Sequence, residues 1–310
     1  MCRFTEEYPL VYTVKNRCRV CYTCVRECPA KAIRIINGQA EVITERCIAC
    51  GNCVKVCSQG AKKFHHSGDA VQGLLSGKQK VVACIAPSFP AEFSEFDDYK
   101  VFVGMVKQLG FAPVVEVSFG ADLVADKYSE IFSNNQSKPI ISSDCPAVVH
   151  YVQQYYPELT DALAPIDSPA MAAAKVVKTK YGENIKTVFI GPCTAKKAES
   201  DCFDEVLTFS ELRLMFQEMN ITPENSTPTH FDPPHAGKGA IFPISRGLLH
   251  AAGKNEGFGK GEVLVAEGKD SFIEAITEFS NGLIDNQHLE LLCCEGCIMG
   301  AGMSTQTKRF

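Results

Sequence analysis

The sequence predicts a small α+β unit followed by a larger α/β unit whose strands are flanked by helices. Two cysteine runs of equal spacing near the start of the chain, with a hairpin pattern between them, point to the first unit. From Lys80 onward, short apolar runs alternate with helical stretches, which is typical of layered α/β folds. We place the units at 1–78 and 79–310, and the length of 310 residues fits about two domains.

The paired cysteine runs have the spacing of iron–sulfur ligands. Each run has three cysteines at intervals of three residues and a fourth after a further four. In such pairs, the fourth cysteine ligates the cluster of the other run. The spacing therefore predicts two [4Fe–4S] clusters that move single electrons, one held by Cys18, Cys21, Cys24 and Cys57 and one by Cys47, Cys50, Cys53 and Cys28. Disulfides or zinc knuckles are the alternative, but zinc sites commonly combine two separated cysteine pairs.

The other elements follow from turn residues and apolar periodicity. An Asn-Gly pair predicts a hairpin at 32–43, and a short helix between Asp69 and Ser76 leads into the larger unit. In that unit the pattern predicts strands at 81–87, 114–117, 139–143, 187–191 and 263–266. It also predicts helices at 169–181 and 210–220, and a long surface loop at 222–239.

Composition excludes several classes of function. The net charge of −5 and the lack of a basic block argue against a nucleic-acid partner. The chain has no apolar run of about 18 residues, as a membrane helix requires, and its first residues lack the apolar core of a signal peptide. Sixteen cysteines without an export signal favour metal ligation in a reducing compartment. We therefore expect a cytoplasmic protein.

A second group of cysteines follows strands of the larger unit. Ligands gather beyond the carboxyl ends of strands in open α/β sheets. Four of these cysteines suffice for a third cubane, namely Cys145, Cys193, Cys293 and Cys297. A lone cysteine after a strand is usually a small core residue, so the prediction depends on the whole set.

With these motifs, the chain resembles the [FeFe] hydrogenases over nearly its whole length. Ser-Ser-Asp-Cys-Pro at 142–146, Gly-Pro-Cys-Thr-Ala-Lys at 191–196 and Leu-Leu-Cys-Cys-Glu-Gly-Cys at 291–297 match the three motifs of that family. The resemblance implies a two-lobed α/β H-cluster domain behind a bacterial-ferredoxin-like domain. It implies that Cys297 bridges the third cubane to a two-iron subsite carrying CO, cyanide and an azadithiolate. It further implies that Lys196 holds a cyanide ligand and that Ala86, Pro87 and Ser88 line the two-iron pocket.

The chain departs from the family pattern at five positions. Asp144 stands where hydrogen-producing members have a cysteine that passes protons to the catalytic centre. Gly191 and Leu291 correspond to methionines that pack around the two-iron site. Lys127 and Tyr128 fall near the expected acidic relay. We expect Asp144 to relay protons, because a carboxyl group in an apolar pocket can have its pKa raised toward neutrality.

The reaction implied by the resemblance is 2H⁺ + 2e⁻ ⇌ H₂. The ending Cys-Glu-Gly-Cys-Ile-Met-Gly is similar to the sensory, regulatory branch, so we expect slow turnover linked to H₂ sensing. Members of that branch usually continue into another cluster and a sensor domain, so an end at Phe310 predicts a trimmed chain or a short member. The implied partners are H₂ and protons, a redox protein such as a ferredoxin, and the hydrogenase maturation proteins.

Two other functions fit the same motifs. The chain could be a non-enzymatic relative like the iron–sulfur assembly factors, which lack the two-iron subsite, or a ferredoxin-type electron-transfer module. Lys196 favours the hypothesis that the chain is a hydrogenase, whereas Gly191 and Leu291 favour the hypothesis that it is an assembly factor.

The remaining reactive residues receive structural interpretations. We expect Cys84 to be core packing, Cys294 to be core packing or else a proton or redox neighbour of the third cubane, and Cys2 and Cys202 to be incidental. We expect exposed positions for His230, His235, Lys62, Lys63, His65 and His66.

Overall fold

The computed structural model describes residues 9–132, 138–199, 202–253 and 262–304. The cysteine-rich unit is built from short elements around its two cysteine runs. In chain order these are β1 Val11–Thr13, α1 Thr23–Arg26, β2 Ile33–Ile36, β3 Gln39–Val42, α2 Asn52–Lys55 and β4 Lys62–Phe64. Strand β1 pairs antiparallel with β4, and β2 pairs antiparallel with β3.

The β2–β3 pairing confirms the predicted hairpin. Its two turn residues, Asn37 and Gly38, have φ values of 49° and 71°. Two consecutive positive φ values match the twist of the strands, and Asn and Gly are the residues that tolerate them best. Helix α3, Gly68–Leu75, confirms the predicted connecting helix.

The larger unit contains two parallel sheets with helices packed around them. Its first half consists of β5 Lys80–Ile85, α4 Phe89–Glu92, α5 Tyr99–Gln108, β6 Val114–Glu116, α6 Ser118–Phe132, α7 Pro146–Tyr155 and α8 Pro169–Tyr181. Its second half consists of β7 Ile185–Gly191, β8 Glu205–Thr208, α9 Phe209–Glu218, α10 Gly247–Ala251, β9 Val263–Glu267, α11 Ser271–Ser280 and β10 His288–Leu292. Single 3-10 turns complete the described elements at Lys15–Arg17, Thr44–Arg46, Pro157–Ala162, Ala195–Ala198, Pro223–Asn225, Lys238–Ile241 and Cys297–Met299.

The first sheet has the strand order β6-β5-β7-β8 with all strands parallel. Its central strand β5 is buried from Val81 to Ile85, as its apolar run predicts. The second sheet pairs β9 with β10 in parallel, and Ile141 adds bridges to Leu163 and Leu289. The fold class is therefore the predicted one, an α/β unit with two lobes behind a small α+β unit.

The structure differs from the predicted elements at a few places, where tertiary contacts decide the conformation. The strand expected at 139–143 reduces to bridges at Ile141, because the chain turns at once toward Cys145 at the start of α7. Strands β8 and β10 lacked the continuous apolar run of β5 and were missed. The segment 222–239 contains only two 3-10 turns, which confirms a long loop, although Phe231 within it is buried.

Within the described ranges, every helix is too short or too polar to cross a bilayer.

Candidate metal centres and active site

The first predicted cluster site is a single cavity. It is lined by all four thiols assigned to it, Cys18, Cys21, Cys24 and Cys57. Cys21 is exposed and Cys24 is buried, so the cavity lies at the surface of the small unit. Burial and the charges of the other three cysteines raise the pKa of Cys24, with Lys62 opposing them. Binding to iron would supply the positive charge that such a group of thiolates needs.

The backbone of both cysteine runs has the same unusual shape. Val20 and Ala49, each two residues into its run, have φ values of 56° and 60°. Tyr22 and Gly51, each directly after the second cysteine of its run, have φ values of 61° and 72°. Non-glycine residues in the left-handed region are strained and persist where function over-determines them. The same left-handed backbone conformations at equivalent positions fit two loops that wrap the same kind of group.

The second predicted site brings together Cys28, Cys47, Cys50 and Cys53. Burial raises the pKa of Cys47 to about 12, and the charges of Cys50 and Cys28 contribute. Burial also raises the pKa of Cys53, helped by Cys50, Cys47 and Cys28. The Cys50 and Cys293 side chains lie close enough to affect each other's pKa, so this site borders the larger unit directly.

The third group of thiols comes from three separate segments. Cys145 precedes α7, Cys193 follows β7, and Cys293 and Cys297 follow β10. Burial raises the pKa of Cys193 to about 12, with a contribution from the charge of Cys145. Burial likewise raises the pKa of Cys297, helped by the charges of Cys193 and Cys145. No three His, Cys, Asp or Glu side chains of the described residues are arranged for a single metal ion, which a cluster of several irons does not require.

A cavity of about 70 Å³ adjoins Cys193 and Cys297. Ala86, Pro87 and Ser88, directly after β5, line it. Its polar lining is Ser88, Asp144, Lys196 and the two cysteines, and the rest is apolar, including Phe189 and Phe242.

The polar groups of this cavity fit a ligand with acceptors and donors of its own. Ser88 Oγ and Asp144 Oδ1 are buried and have no hydrogen-bond partner among the described residues. Buried polar atoms in native proteins are normally paired, so two orphans facing one cavity point to a missing group. Lys196 Nζ donates to Ser168 Oγ at 2.7 Å and to Glu199 Oε1 at 2.6 Å. The residues present therefore fit a compact, partly anionic group bound beside the four cysteines.

Asp144, in the lining of this cavity, acts through its charge on a second buried carboxyl group, Glu290, which sequence reasoning missed. Burial raises the pKa of Asp144 to about 7, although the charge of Lys196 opposes the shift. Burial raises the pKa of Glu290 to about 7 as well, and the charge of Asp144 adds to it. Glu290 Oε1 accepts a hydrogen bond from the Leu248 amide at 3.3 Å, while its Oε2 is buried and has no partner within the described ranges. A glutamate inside an otherwise apolar strand, β10, was the signal that could have revealed it.

Other departures from the family pattern have direct structural counterparts. At Gly191, an added Cβ would lie 2.6 Å from the ring of Phe189, so the ring fills the space beside that residue. Leu291 is fully buried, and its amide donates to Ser142 Oγ at 3.0 Å, whereas Leu292 lines the cavity. Tyr128 is buried, and its hydroxyl accepts from the Ser143 amide at 2.9 Å.

The two units meet closely beside the second site. Thr194 Oγ1 donates to the Ala49 carbonyl at 2.9 Å. An added Cβ at Gly51 would lie 2.5 Å from Thr194 Oγ1 and 2.6 Å from Cβ of Ala301. Only glycine fits this contact, which brings the loop after Cys50 against the loop after Cys193.

Several minor expectations can be compared with the structure. Cys84 is fully buried in β5, which confirms core packing. The expected solvated position of Lys62 is wrong, because its side chain is 2% exposed and bonds inside the small unit. Cys294 lies close enough to Cys193 and Cys145 for their charges to raise its pKa, after burial. Cys2 lies outside the described residues. His230 contacts the Tyr99 hydroxyl through Nδ1 at 2.8 Å.

Cysteine-lined centres in a ferredoxin-like unit, joined to a cysteine-rich cavity in an α/β unit, define an iron–sulfur protein with a hydrogenase-like fold. Residues 10–58 match the family described as a 4Fe-4S dicluster domain. Residues 79–301 match the family described as iron only hydrogenase large subunit, C-terminal domain. The chain belongs to this iron-only hydrogenase family.

Curated relatives agree with this assignment. The chain is 30% identical over 217 residues to iron hydrogenase 1 of Clostridium pasteurianum, covering 59% of this chain and 38% of that protein. It is 28% identical over 237 residues to the NADP-reducing hydrogenase subunit HndD of Solidesulfovibrio fructosivorans, covering 64% of this chain and 40% of that protein. The chain thus spans about two fifths of the length of these two relatives. It is also 25% identical over 142 residues to the cytosolic Fe-S cluster assembly factor NAR1 of Yarrowia lipolytica, covering 41% of this chain and 29% of that protein.

A solved [FeFe]-hydrogenase, HydA1 from Chlamydomonas reinhardtii, has the same fold. Its TM-score is 0.64 at 18% identity, over 79% of this chain and 86% of that chain.

Proposed function

We propose that this protein interconverts H₂ with protons and electrons at a two-iron subsite held beside the third cubane, slowly and in a regulatory, H₂-sensing role. One observation carries the proposal: Ser88 Oγ and Asp144 Oδ1 are buried, have no hydrogen-bond partner in the part of the chain that the structure describes, and line one cavity with Lys196 and Cys297. A bare cubane does not need these groups. We further propose that 1–78 and 79–310 are the two domains, and that the abundance of cysteine reflects a reducing, cytoplasmic setting.

The two-iron group, when bound, supplies the hydrogen chemistry, and the chain supplies position, charge and exclusion of water. Lys196 would donate a charged hydrogen bond to a cyanide ligand, in competition with Glu199. Ser88 Oγ would donate a second hydrogen bond, and Cys297 would help to hold the group. Cys145, Cys193 and Cys293 would complete the cubane.

Proton movement is assigned to the two buried carboxyl groups. Asp144 has a pKa of about 7 because burial disfavours its charge, so it can hold and release a proton near neutral pH. Glu290, whose pKa burial also raises to about 7, would exchange that proton with Asp144. The side chain of aspartate has a different reach from that of the cysteine found at this position in hydrogen-producing members. Asp144 would therefore present its proton at a different distance from the two-iron group, and we expect slow turnover.

Electrons would pass between the centres along the small unit. The Cys50–Cys293 contact supports a direct step between the second ferredoxin-type cluster and the third cubane. The outer end of the route is the exposed Cys21 beside the exposed Tyr22.

The charge of the small unit indicates which redox partner fits. Residues 9–64 contain ten basic and three acidic residues, although the whole chain has a net charge of −5. Arg19 lines the first cluster site with Cys21. Lys15, Arg17 and Arg19 are all exposed and form no ion pair within the described residues. Complementary charge steers association, so we propose an acidic redox protein such as a ferredoxin. Hydrogenase maturation proteins would deliver the two-iron group.

A non-enzymatic assembly-factor role is the second candidate, because the Phe189 ring fills the space beside Gly191 in the cavity lining. The similarity to NAR1 favours the same alternative.

Infrared spectroscopy of protein loaded with the two-iron precursor separates these functions. The hydrogenase function predicts CO and cyanide stretching bands, which weaken or shift in Lys196→Met and Ser88→Ala. Lys175→Met is the matched control, because this lysine pairs with Asp167 in solvent and is 60% exposed. Full cubane iron without such bands in the loaded wild-type protein would reject the hydrogenase function and leave the assembly-factor role.

A further inference from the structure

Lys62 is a buried lysine whose hydrogen-bond partners are both neutral. Its Nζ donates to Thr13 Oγ1 at 2.6 Å and to the Ala40 carbonyl at 2.8 Å. No ion pair among the described residues includes it. A buried ammonium group is strongly unfavourable unless negative charge compensates it. The compensating charge must come from something other than a carboxylate of the described chain.

Lys62 borders the first predicted cluster site and acts electrostatically on thiols of the second. Lys62 lines the cavity that Cys18, Cys21, Cys24 and Cys57 share. Its charge acts on Cys24 at that site and on Cys47 and Cys53 at the second site. A cubane with four thiolate ligands is net anionic, and its potential depends on nearby charge and hydrogen bonds. The two clusters would therefore supply the missing negative charge.

The internal repeat of the small unit makes the lysine unexpected. Lys62 stands five residues after Cys57, and Ile33 stands five residues after Cys28. The preceding residues, Ala32 and Ala61, are both buried, so the two halves keep equivalent positions. Ile33 is buried as well, so the repeat predicts an apolar residue at position 62. The ammonium group is thus a departure of this chain from its own repeat.

We propose that Lys62 sets the reduction potentials of the two ferredoxin-type clusters by holding a positive charge between them. Reduction adds a negative charge to a cluster, so a nearby cation stabilises the reduced form and raises the potential. The effect is larger at the site of Cys18 and Cys21, whose cavity Lys62 lines. We call the cluster at the site of Cys18 and Cys21 the outer cluster. It then attracts electrons more strongly than the second cluster does, which favours electron flow from the larger unit toward the exposed Cys21. The proposal rests on the clusters of the small unit and does not depend on two-iron chemistry.

Redox titration of the full-length, cluster-loaded protein, followed by electron paramagnetic resonance, tests this role. Lys62→Ile places the residue of the other repeat at this position and removes the charge. We expect reduction of the outer cluster to become at least tenfold less favourable, which is about 59 mV for a one-electron couple. The second cluster should shift in the same direction by less. Lys63→Ile is the matched control, because Lys63 is the next residue of β4, only partly buried, on the opposite face of the strand.

Iron counting accompanies each titration. Unchanged potentials in Lys62→Ile with full iron content, or an equal shift in Lys63→Ile, would overturn the proposal. If Lys62→Ile loses its clusters, Lys62→Arg and Lys62→Gln decide. Potentials kept by arginine and lowered by glutamine support the role of charge, whereas equal potentials in these two variants refute it. Missing CO and cyanide bands would count against the proposed hydrogenase function only, whereas wild-type protein without cubanes in the small unit would end this proposal.

Discussion

The buried pair of Lys197 and Glu211 connects the larger unit to the segment that leaves the small one. Lys197 Nζ lies 3.0 Å from Glu211 Oε1, and both side chains are at most 2% exposed. Lys197 also donates to Ser67 Oγ at 2.7 Å and to the Val206 carbonyl at 2.9 Å. The Ser67 amide, just before α3, donates to Glu211 Oε1 at 2.6 Å. One carboxylate thus joins the linker to the start of α9.

Replacing Lys197 with methionine should destabilise this junction strongly. The substitution removes three donors and leaves the Glu211 carboxylate buried without its cation. Removing one partner of a buried pair costs about 3–5 kcal/mol. Glu211 keeps the Ser67 amide and the amide and hydroxyl of Thr208, at 2.6 to 2.7 Å. We therefore expect the lower end of that range, about 3 kcal/mol.

Urea unfolding of the cluster-loaded protein measures this loss, and amide exchange at Ser67 and Thr208 localises it. Lys197→Met/Glu211→Gln should recover much of the stability, because no charge is then left unpaired. Lys127→Met is the control, since its pair with Glu130 is 63% and 67% exposed and should be worth less than about 1 kcal/mol. A loss in Lys197→Met no larger than that control, or no recovery in the double variant, would refute the reasoning.

Three further predictions concern the site and its surroundings. Glu290 binds its proton more tightly in the folded protein, so it lowers the free energy of unfolding as pH rises from about 4.5 to about 7. Glu290→Gln should raise the free energy of urea unfolding by up to about 3 kcal/mol at pH 8 and by little at pH 4.5. Equal gains at the two pH values would contradict this. Gly51→Ala should lower the free energy of unfolding by about 1–3 kcal/mol, because the added Cβ would meet Thr194. Rapid-mixing measurements should also find slower electron transfer to the third cubane. An unchanged melting temperature and an unchanged transfer rate would argue against a tight junction. Gly191→Met should lower the melting temperature, because the new side chain would clash with the Phe189 ring. Adding Phe189→Ala should restore the melting temperature in the double variant. If Gly191→Met alone is as stable as the wild type, the Phe189 ring moves freely and this reasoning is wrong.

Much of this protein could be predicted from local patterns. The cysteine spacing specifies which thiols can share a cluster, since ligand geometry depends on a few residues of one loop. The Asn37-Gly38 turn and the buried strand β5 likewise follow from the conformations and polarity of adjacent residues. Such features need no knowledge of the rest of the fold. The structure confirms the turn and the strand, and the sharing of clusters stays a prediction.

Only the tertiary structure decided which distant groups meet. A lysine after a cysteine run reads as a surface residue, yet pairing of β1 with β4 places Lys62 opposite Thr13 and away from water. Glu290 belongs to a strand that lacked a clear pattern, and the effect of the Asp144 charge on its pKa depends on how the second sheet meets the segment before α7. Burial and long-range contact set the charge state and the partners of these groups, and neither is encoded within a few neighbouring residues.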